Sequence, residues 1–383
     1  MLNSQEFRNH LTEELIPFWN GLYDSEHGGF YGSVDSDNNI NKQAFKSAVL
    51  QTRILWFYSS CYRALGDENL LEYAHRQFEF IAKHMIDPDD GGIFWEVEYN
   101  GKVRNNQKHT YALAFQLYSL SAYYSASGNE AALNAANKLF NLIERDFRDE
   151  YGYTEIFSLD KLDKSVEKST RTMNTLLHII EAYTEYYRAV KTDEARKGLE
   201  YSVSLVINKT YNDELCRIEC NFDKYMNSVA DLLSYGHDIE ASWLVYRACE
   251  VLGNAALTSD LAPKLEKVAQ NVIAKGFVDG GKNGVYYDCK AGIDNTHRSW
   301  WVMSEAVVAL VHRYKLYKDE QSMIIAENLW NYIKTCFISP YGEWHAQVNE
   351  SGEPVKMHNG LCGSWKCPYH NGRMCLELME MLC

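Results

Sequence analysis

At 383 residues with 46% hydrophobic side chains, the chain can bury an extended core, which excludes disorder as its general state. A formal net charge of −14 without any basic cluster excludes nucleic acid and anionic membrane surfaces as expected partners. The opening stretch MLNSQEFRNHLTEELIPFWN is amphipathic and charged throughout, with no apolar run of leader or membrane-span length, so a cytoplasmic protein is expected.

In chain order, polar turns with glycine and aromatic residues recur about every sixty positions. They are YDSEHGGFYGSVD from Tyr23, IDPDDGGIFWEVEYNGK from Ile86, RDEYGYTEIFSLDK from Arg148, YNDELCRIECNFDK from Tyr211, VDGGKNGVYYDCK from Val278 and ISPYGEWHAQVNESGEP from Ile338. Each continues into alternating apolar and polar residues, the pattern of a short hairpin. Between consecutive copies lie two helical patterns, such as AFKSAVLQTRILWFYSSCYRAL and ENLLEYAHRQFEFIAKHM, joined at Gly66-Asp67; the same junction returns at Gly128-Asn129 and Gly253-Asn254. About twelve helices follow without strand and helix alternation, and neither the six prolines nor any low-complexity linker marks a boundary. The predicted fold is all-α: one domain over residues 1–383, an (α/α)6 barrel of six helical hairpins with short β-hairpin-like loops at its rim. Each hairpin buries its apolar face only against its neighbours, and ring closure removes the exposed ends.

In such a ring the more apolar first helix of each pair lies inside and the more charged second helix outside. Polar residues near the starts of inner helices then meet at one end of one cavity. They are Arg53 in QTRILWF, Tyr111 in KHTYALAF, Asn174 and His178 in MNTLLHIIEAY, His237 and Glu240 in SYGHDIEASWL, Trp301 and Glu305 in SWWVMSEAV, and His370 in CPYHNGRMC. Trp300 and Trp365 stand close to these starts, and 27 tyrosines add flat apolar faces suited to sugar rings.

Each candidate has a plainer reading. His370 follows Pro368 in the first turn of the last helix, where the positive dipole end favours a neutral imidazole; it could also tie that helix to a neighbour. His237 and Glu240, three apart, share a helix face, so the carboxylate can orient the ring or simply pair with it. Asn174 and His178 could belong to a solvated stripe continued by Glu181 and Glu185. Arg53, in an apolar helix, needs either a carboxylate partner or a ligand oxygen. Cys362, Cys367, His370 and Cys375 could hold zinc, but their spacing lacks paired CxxC knuckles and Cys375 falls on another face than His370. No metal is expected, and most of the ten scattered cysteines are expected reduced and buried.

SYGHDIEASWL, HRSWWVMSEAV, MNTLLHIIEAY, RILWFYSSCYRALGD and WKCPYHNGRMCLE closely resemble the cellobiose 2-epimerase family within the N-acylglucosamine 2-epimerase superfamily, and the likeness runs over essentially the whole chain. It implies the same (α/α)6 barrel and reversible inversion at C2 of the reducing-end sugar of β-1,4-linked disaccharides, with no cofactor. It further implies His237 and His370 as proton-transferring groups, His178 as a third site histidine, Arg53 as the site arginine and Glu240 as the partner of His237. Tyr111, Asn174, Trp301, Glu305 and Trp365 match positions expected to contact the sugar. A monomer acting on a small-molecule disaccharide is expected. Aldose-ketose isomerisation, N-acylglucosamine epimerisation and, from another class, glycoside hydrolysis are the alternatives.

Overall fold

The computed structural model describes residues 2–157 and 171–383, so the SLDK end of the third rim segment lies outside the described residues. Twelve helical rods are present among the described residues. The inner six are Ala48–Leu65, Thr110–Ser127, Met173–Val190, Tyr235–Leu252, Trp300–Tyr317 and Tyr369–Met381. Five outer partners follow in sequence as Glu68–His84, Glu130–Leu142, Asp193–Leu205, Ala255–Lys275 and Glu320–Cys336. The sixth outer rod is N-terminal, built from Ser4–His10, a π turn at Leu11–Leu15, and Ile16–Asn20.

Each inner helix packs on the next, and the sixth packs on the first, which closes the ring. Five pairs are therefore true hairpins. The sixth differs from the expected hairpin: it joins the two ends of the chain, the N-terminal rod lying against Tyr369–Met381. Buried tryptophans fasten that rod, with Trp19 Nε1 donating to Glu343 (2.5 Å), Trp344 Nε1 to His10 (2.8 Å) and Trp330 Nε1 to Glu6 (2.7 Å).

The burial patterns explain which helix lies inside. Every residue from Thr110 to Tyr123 is buried, whereas Glu68–His84 buries one stripe of Leu70, Ala74, Gln77, Phe80 and Ile81. The hairpin turns share one backbone device, a left-handed residue just before the next helix, and in four of the five the residue after it caps that helix with its side chain. Gly66, Gly128 and Gly253 take that conformation, followed by Asp67, Asn129 and Asn254. In the other two turns Lys191 (φ 53°) and Lys318 (φ 56°) adopt it, and a lysine there hides the turn from a search for glycine.

All six repeated segments form a narrow antiparallel pairing after an outer helix: Tyr23 with Phe30, Ile86 with Ile93, Arg148–Asp149 with Gly152–Tyr153, Tyr211–Asn212 with Arg217–Ile218, Phe277 with Val285, and Ile338 with Trp344. A second set of pairings links each repeat to the next around the mouth. Lys46–Ser47 pairs with Glu96–Val97, Lys108–His109 with Ile156–Phe157, Arg171–Thr172 with Asn221–Phe222, Leu232–Leu233 with Cys289–Lys290, Arg298–Ser299 with Gln347–Val348, and Cys362 with Val34. This belt fixes the start of every inner helix. No helix among the described residues is long and apolar enough to cross a membrane, and all ten cysteines are unpaired.

Candidate active site at the barrel mouth

Because the belt sets all six inner helices at one level, side chains of their first two turns converge. They line a cavity of about 320 Å³, within the range of small-molecule sites. Ten of the eleven sequence candidates are on its wall: Arg53, Tyr111, Asn174, His178, His237, Glu240, Trp300, Trp301, Trp365 and His370. The eleventh, Glu305, is fully buried behind His370 and does not face the cavity. A larger groove of about 520 Å³ near Glu13, Glu14 and the Ser339–Gly342 turn carries no imidazole.

The three histidines are each held by one ring nitrogen. His178 Nδ1 lies 3.0 Å from Glu181, His370 Nδ1 2.7 Å from Glu305, and His237 Nδ1 2.8 Å from Ser234 Oγ. In each ring Nε2 remains for the cavity. The indole of Trp301 touches both His237 and His370, with ring centroids 5.0 and 5.6 Å apart. Gly236 makes room for that indole: a Cβ on it would come within 2.2 Å of the Trp301 ring.

His237 departs from the expected pairing. Its Nδ1 goes to Ser234, the cap of the same helix, while Glu240 Oε1 goes to Arg373 (2.5 Å). Glu240 thus acts on His237 through space. Burial pushes His237 down to about 4 against that attraction. Burial likewise pushes His370 well below its ordinary value, and the charges of Arg53 and Arg373 add to this. Glu305 is driven up to about 8 by burial, with the Arg373 charge opposing. In Glu181 burial is outweighed, mainly by Arg373, and the carboxyl falls to about 2.

Arg53 is buried without any carboxylate partner among the described residues, which removes the salt-bridge reading. One guanidinium nitrogen donates to Tyr111 Oη (2.6 Å), another to the Trp365 carbonyl (3.5 Å), and Nε has no partner. The guanidinium also lies against the rings of Phe115 (4.1 Å) and Tyr369 (4.5 Å). Burial pushes the Tyr111 phenol up, so it remains a hydroxyl. Trp365, 49% exposed, stands at the lip 5.3 Å from the Tyr111 ring.

The supposed solvated stripe on the third inner helix faces inward. Glu181 and Glu185 are each 6% exposed, because every face of an inner helix meets protein. Glu181, Ser234, Tyr369 and Arg373 are contributors that sequence reasoning missed. Glu181 stands one turn below His178 at the same three-residue spacing that marked His237 and Glu240, and this spacing was the available signal.

Metal chemistry has one candidate group among the described residues, Glu240, Glu305 and His370. Arg373 reaches into it, 2.5 Å from Glu240 and 2.7 Å from Glu305, so a guanidinium already supplies the cation. The zinc alternative fares no better: burial pushes the Cys362 and Cys375 thiols up, away from the thiolate a metal needs, and Cys367 Sγ accepts from Arg53.

A closed ring of helix pairs with imidazoles at an aromatic mouth is an (α/α)6 barrel with a small-molecule site at one end. The family follows from comparison: the model of the N-acylglucosamine 2-epimerase (GlcNAc 2-epimerase) family matches residues 29–371, and the chain belongs to that family. It is 40% identical to a cellobiose 2-epimerase of Ruminococcus albus, over 98% of this chain and 97% of that one. Among solved structures, cellobiose 2-epimerase from Bacillus thermoamylovorans superposes with a TM-score of 0.93 at 35% identity, and a sugar epimerase from a ruminal bacterium with 0.94 at 38%. Each comparison covers 98% of both chains.

Proposed function

We propose that the protein is a cellobiose 2-epimerase, which reversibly inverts C2 of the reducing-end glucose or mannose in β-1,4-linked disaccharides without a metal or redox cofactor. The observation that carries this reading is the pair of imidazoles, His237 and His370, meeting at one indole in one cavity. Stereochemical inversion at carbon needs a proton removed from one face and returned to the other, and two such groups suit that task.

The sugar ring opens first, because only in the open-chain aldehyde is the C2 proton acidified by a neighbouring carbonyl. Arg53, with unused hydrogen-bonding capacity at a buried guanidinium, is suited to polarise O1 and to hold the oxyanion of the enediolate, and His178, whose Nδ1 is held by Glu181, offers Nε2 to take the O1 proton as the ring opens and return it to the ring oxygen. One histidine takes the C2 proton on Nε2 and the other delivers a proton to the opposite face. Trp300, Trp301 and Trp365 offer platforms for the sugar faces, and Tyr111 and Asn174 offer polar contacts. Glycoside hydrolysis requires two opposed carboxylates, whereas Glu240 is the one carboxylate lining the cavity among the described residues.

Cellobiose incubated with the enzyme in D2O should give epimer labelled at C2, read by NMR of the reducing-end signals. Epimer formed without deuterium uptake over many turnovers would rule out exchange through solvent-connected bases, and a ketose product would mark an isomerase instead.

The pH profile of kcat/KM should be broad. His237 keeps its basic nitrogen until pH falls to about 4, so the acid limb belongs there rather than near 6.5. The alkaline limb should fall near 8, where the Glu305–His370 pair loses its shared proton. An acid limb at 6.5 would contradict the burial of His237.

A further inference from the structure

Behind the histidines lies a charged cluster of which the chemistry above uses only Glu181 and Glu305. Arg373, fully buried on the sixth inner helix, reaches Glu181, Glu240 and Glu305, one carboxylate from each of the third, fourth and fifth inner helices, and also the Tyr369 hydroxyl. Every carboxylate stands by a different histidine. Glu181 holds His178 Nδ1, Glu305 holds His370 Nδ1, and Glu240 lies three residues beyond His237 on its helix.

Three buried carboxylates around one guanidinium leave excess negative charge, which a poorly hydrated interior removes by retaining a proton. The other cation acting on His370, Arg53, belongs to the first inner helix and lies over the Tyr369 ring without contacting a carboxylate. From the second inner helix Tyr111 and Tyr118 face the carboxylates, and burial holds both as neutral phenols.

We propose that Arg373 is a positioning residue for the epimerase reaction: its fork pairs with Glu181 and Glu240, fixing the His178 proton on Nδ1, and leaves Glu305 to share one proton with His370. When His370 protonates the enediolate, its Nε2–H bond breaks and the C2–H bond forms. The Glu305 hydroxyl then passes its proton to Nδ1, leaving an anion beside Arg373. In the reverse direction Nε2 takes the C2 proton and Nδ1 returns its own to Glu305. The ring carries no net charge at either end of the step. The low Glu181 and high Glu305 values agree with this division.

The inference rests on the epimerase reading, so its test includes a measurement that needs no substrate. In protein labelled with 15N in its imidazoles, wild-type His178 should show a single tautomer protonated at Nδ1. Arg373→Lys keeps the charge but loses the planar fork. It should give mixed His178 tautomers, lower kcat about 100-fold with KM little changed, and move the alkaline limb upward. A folded Arg373→Lys protein with wild-type tautomers and an unshifted limb would overturn the proposal. Glu305→Gln, which retains the shape but carries no exchangeable acid proton, gives an independent reading. Loss of the alkaline limb is expected, and its persistence near 8 would overturn the proposal even if Arg373→Lys did not fold. Correct tautomers in a protein inactive on cellobiose would fault the substrate reading and leave the positioning role standing.

Discussion

Replacing His370 with alanine should lower kcat for cellobiose epimerisation by about 10²- to 10⁴-fold, the usual contribution of a general acid or base. The side chain lines the cavity, and removing it leaves Glu305 still in contact with Arg373 and Trp243 Nε1, so the barrel should fold. Circular dichroism checks that point. His237→Ala should produce a loss of the same order, because its Nδ1 contact to Ser234 lies within one helix cap and holds no neighbouring element. The two variants should differ in isotope behaviour: with one face unserved, a variant that still abstracts the C2 proton returns it to the same face. Cellobiose would then acquire deuterium in D2O faster than epimer appears. Turnover at the wild-type rate in either variant would remove that histidine from the chemistry.

The ring and the positions of its polar side chains were legible in the sequence for a simple reason. Helix length, turn chemistry and rim hairpins all repeat together, so residues at one phase of the repeat fall at one level of the barrel. Arg53, His178, Glu240 and Glu305 each occupy the sixth position of an inner helix, and His370 and Trp301 the second. Phase could not show azimuth. Glu305 shares its level with Glu240 yet turns behind His370, and its carboxylate meets Arg373, which no repeat partner resembles. Spacing within a helix likewise suggested that Glu240 would hold His237, but a cap serine was nearer and a buried guanidinium from another helix competed for the carboxylate. Long-range charge competition of this kind has no local signature. The sixth helix pair was hidden for a topological reason, since its members lie at opposite ends of the chain.

Arg53 gives the second large effect and separates function from stability. A buried guanidinium that holds no carboxylate, leaves Nε without a partner and contacts mainly aromatic faces bears a desolvation cost that only neutral acceptors and aromatic rings offset. Substitution by a similarly shaped apolar side chain relieves that cost, as replacing buried charges often does. Arg53→Met should therefore keep or raise Tm. The same substitution removes the donor proposed to meet the enediolate oxygen, and loss of one such donor costs about 10²- to 10³-fold in kcat. Arg53→Lys should recover part of the rate, because an ammonium supplies charge but not the paired, planar donors. Thermal unfolding and steady-state kinetics on the same samples decide the matter. A marked drop in Tm with proportionate loss of activity would make Arg53 a structural residue, and the oxyanion would then need another donor from the cavity wall.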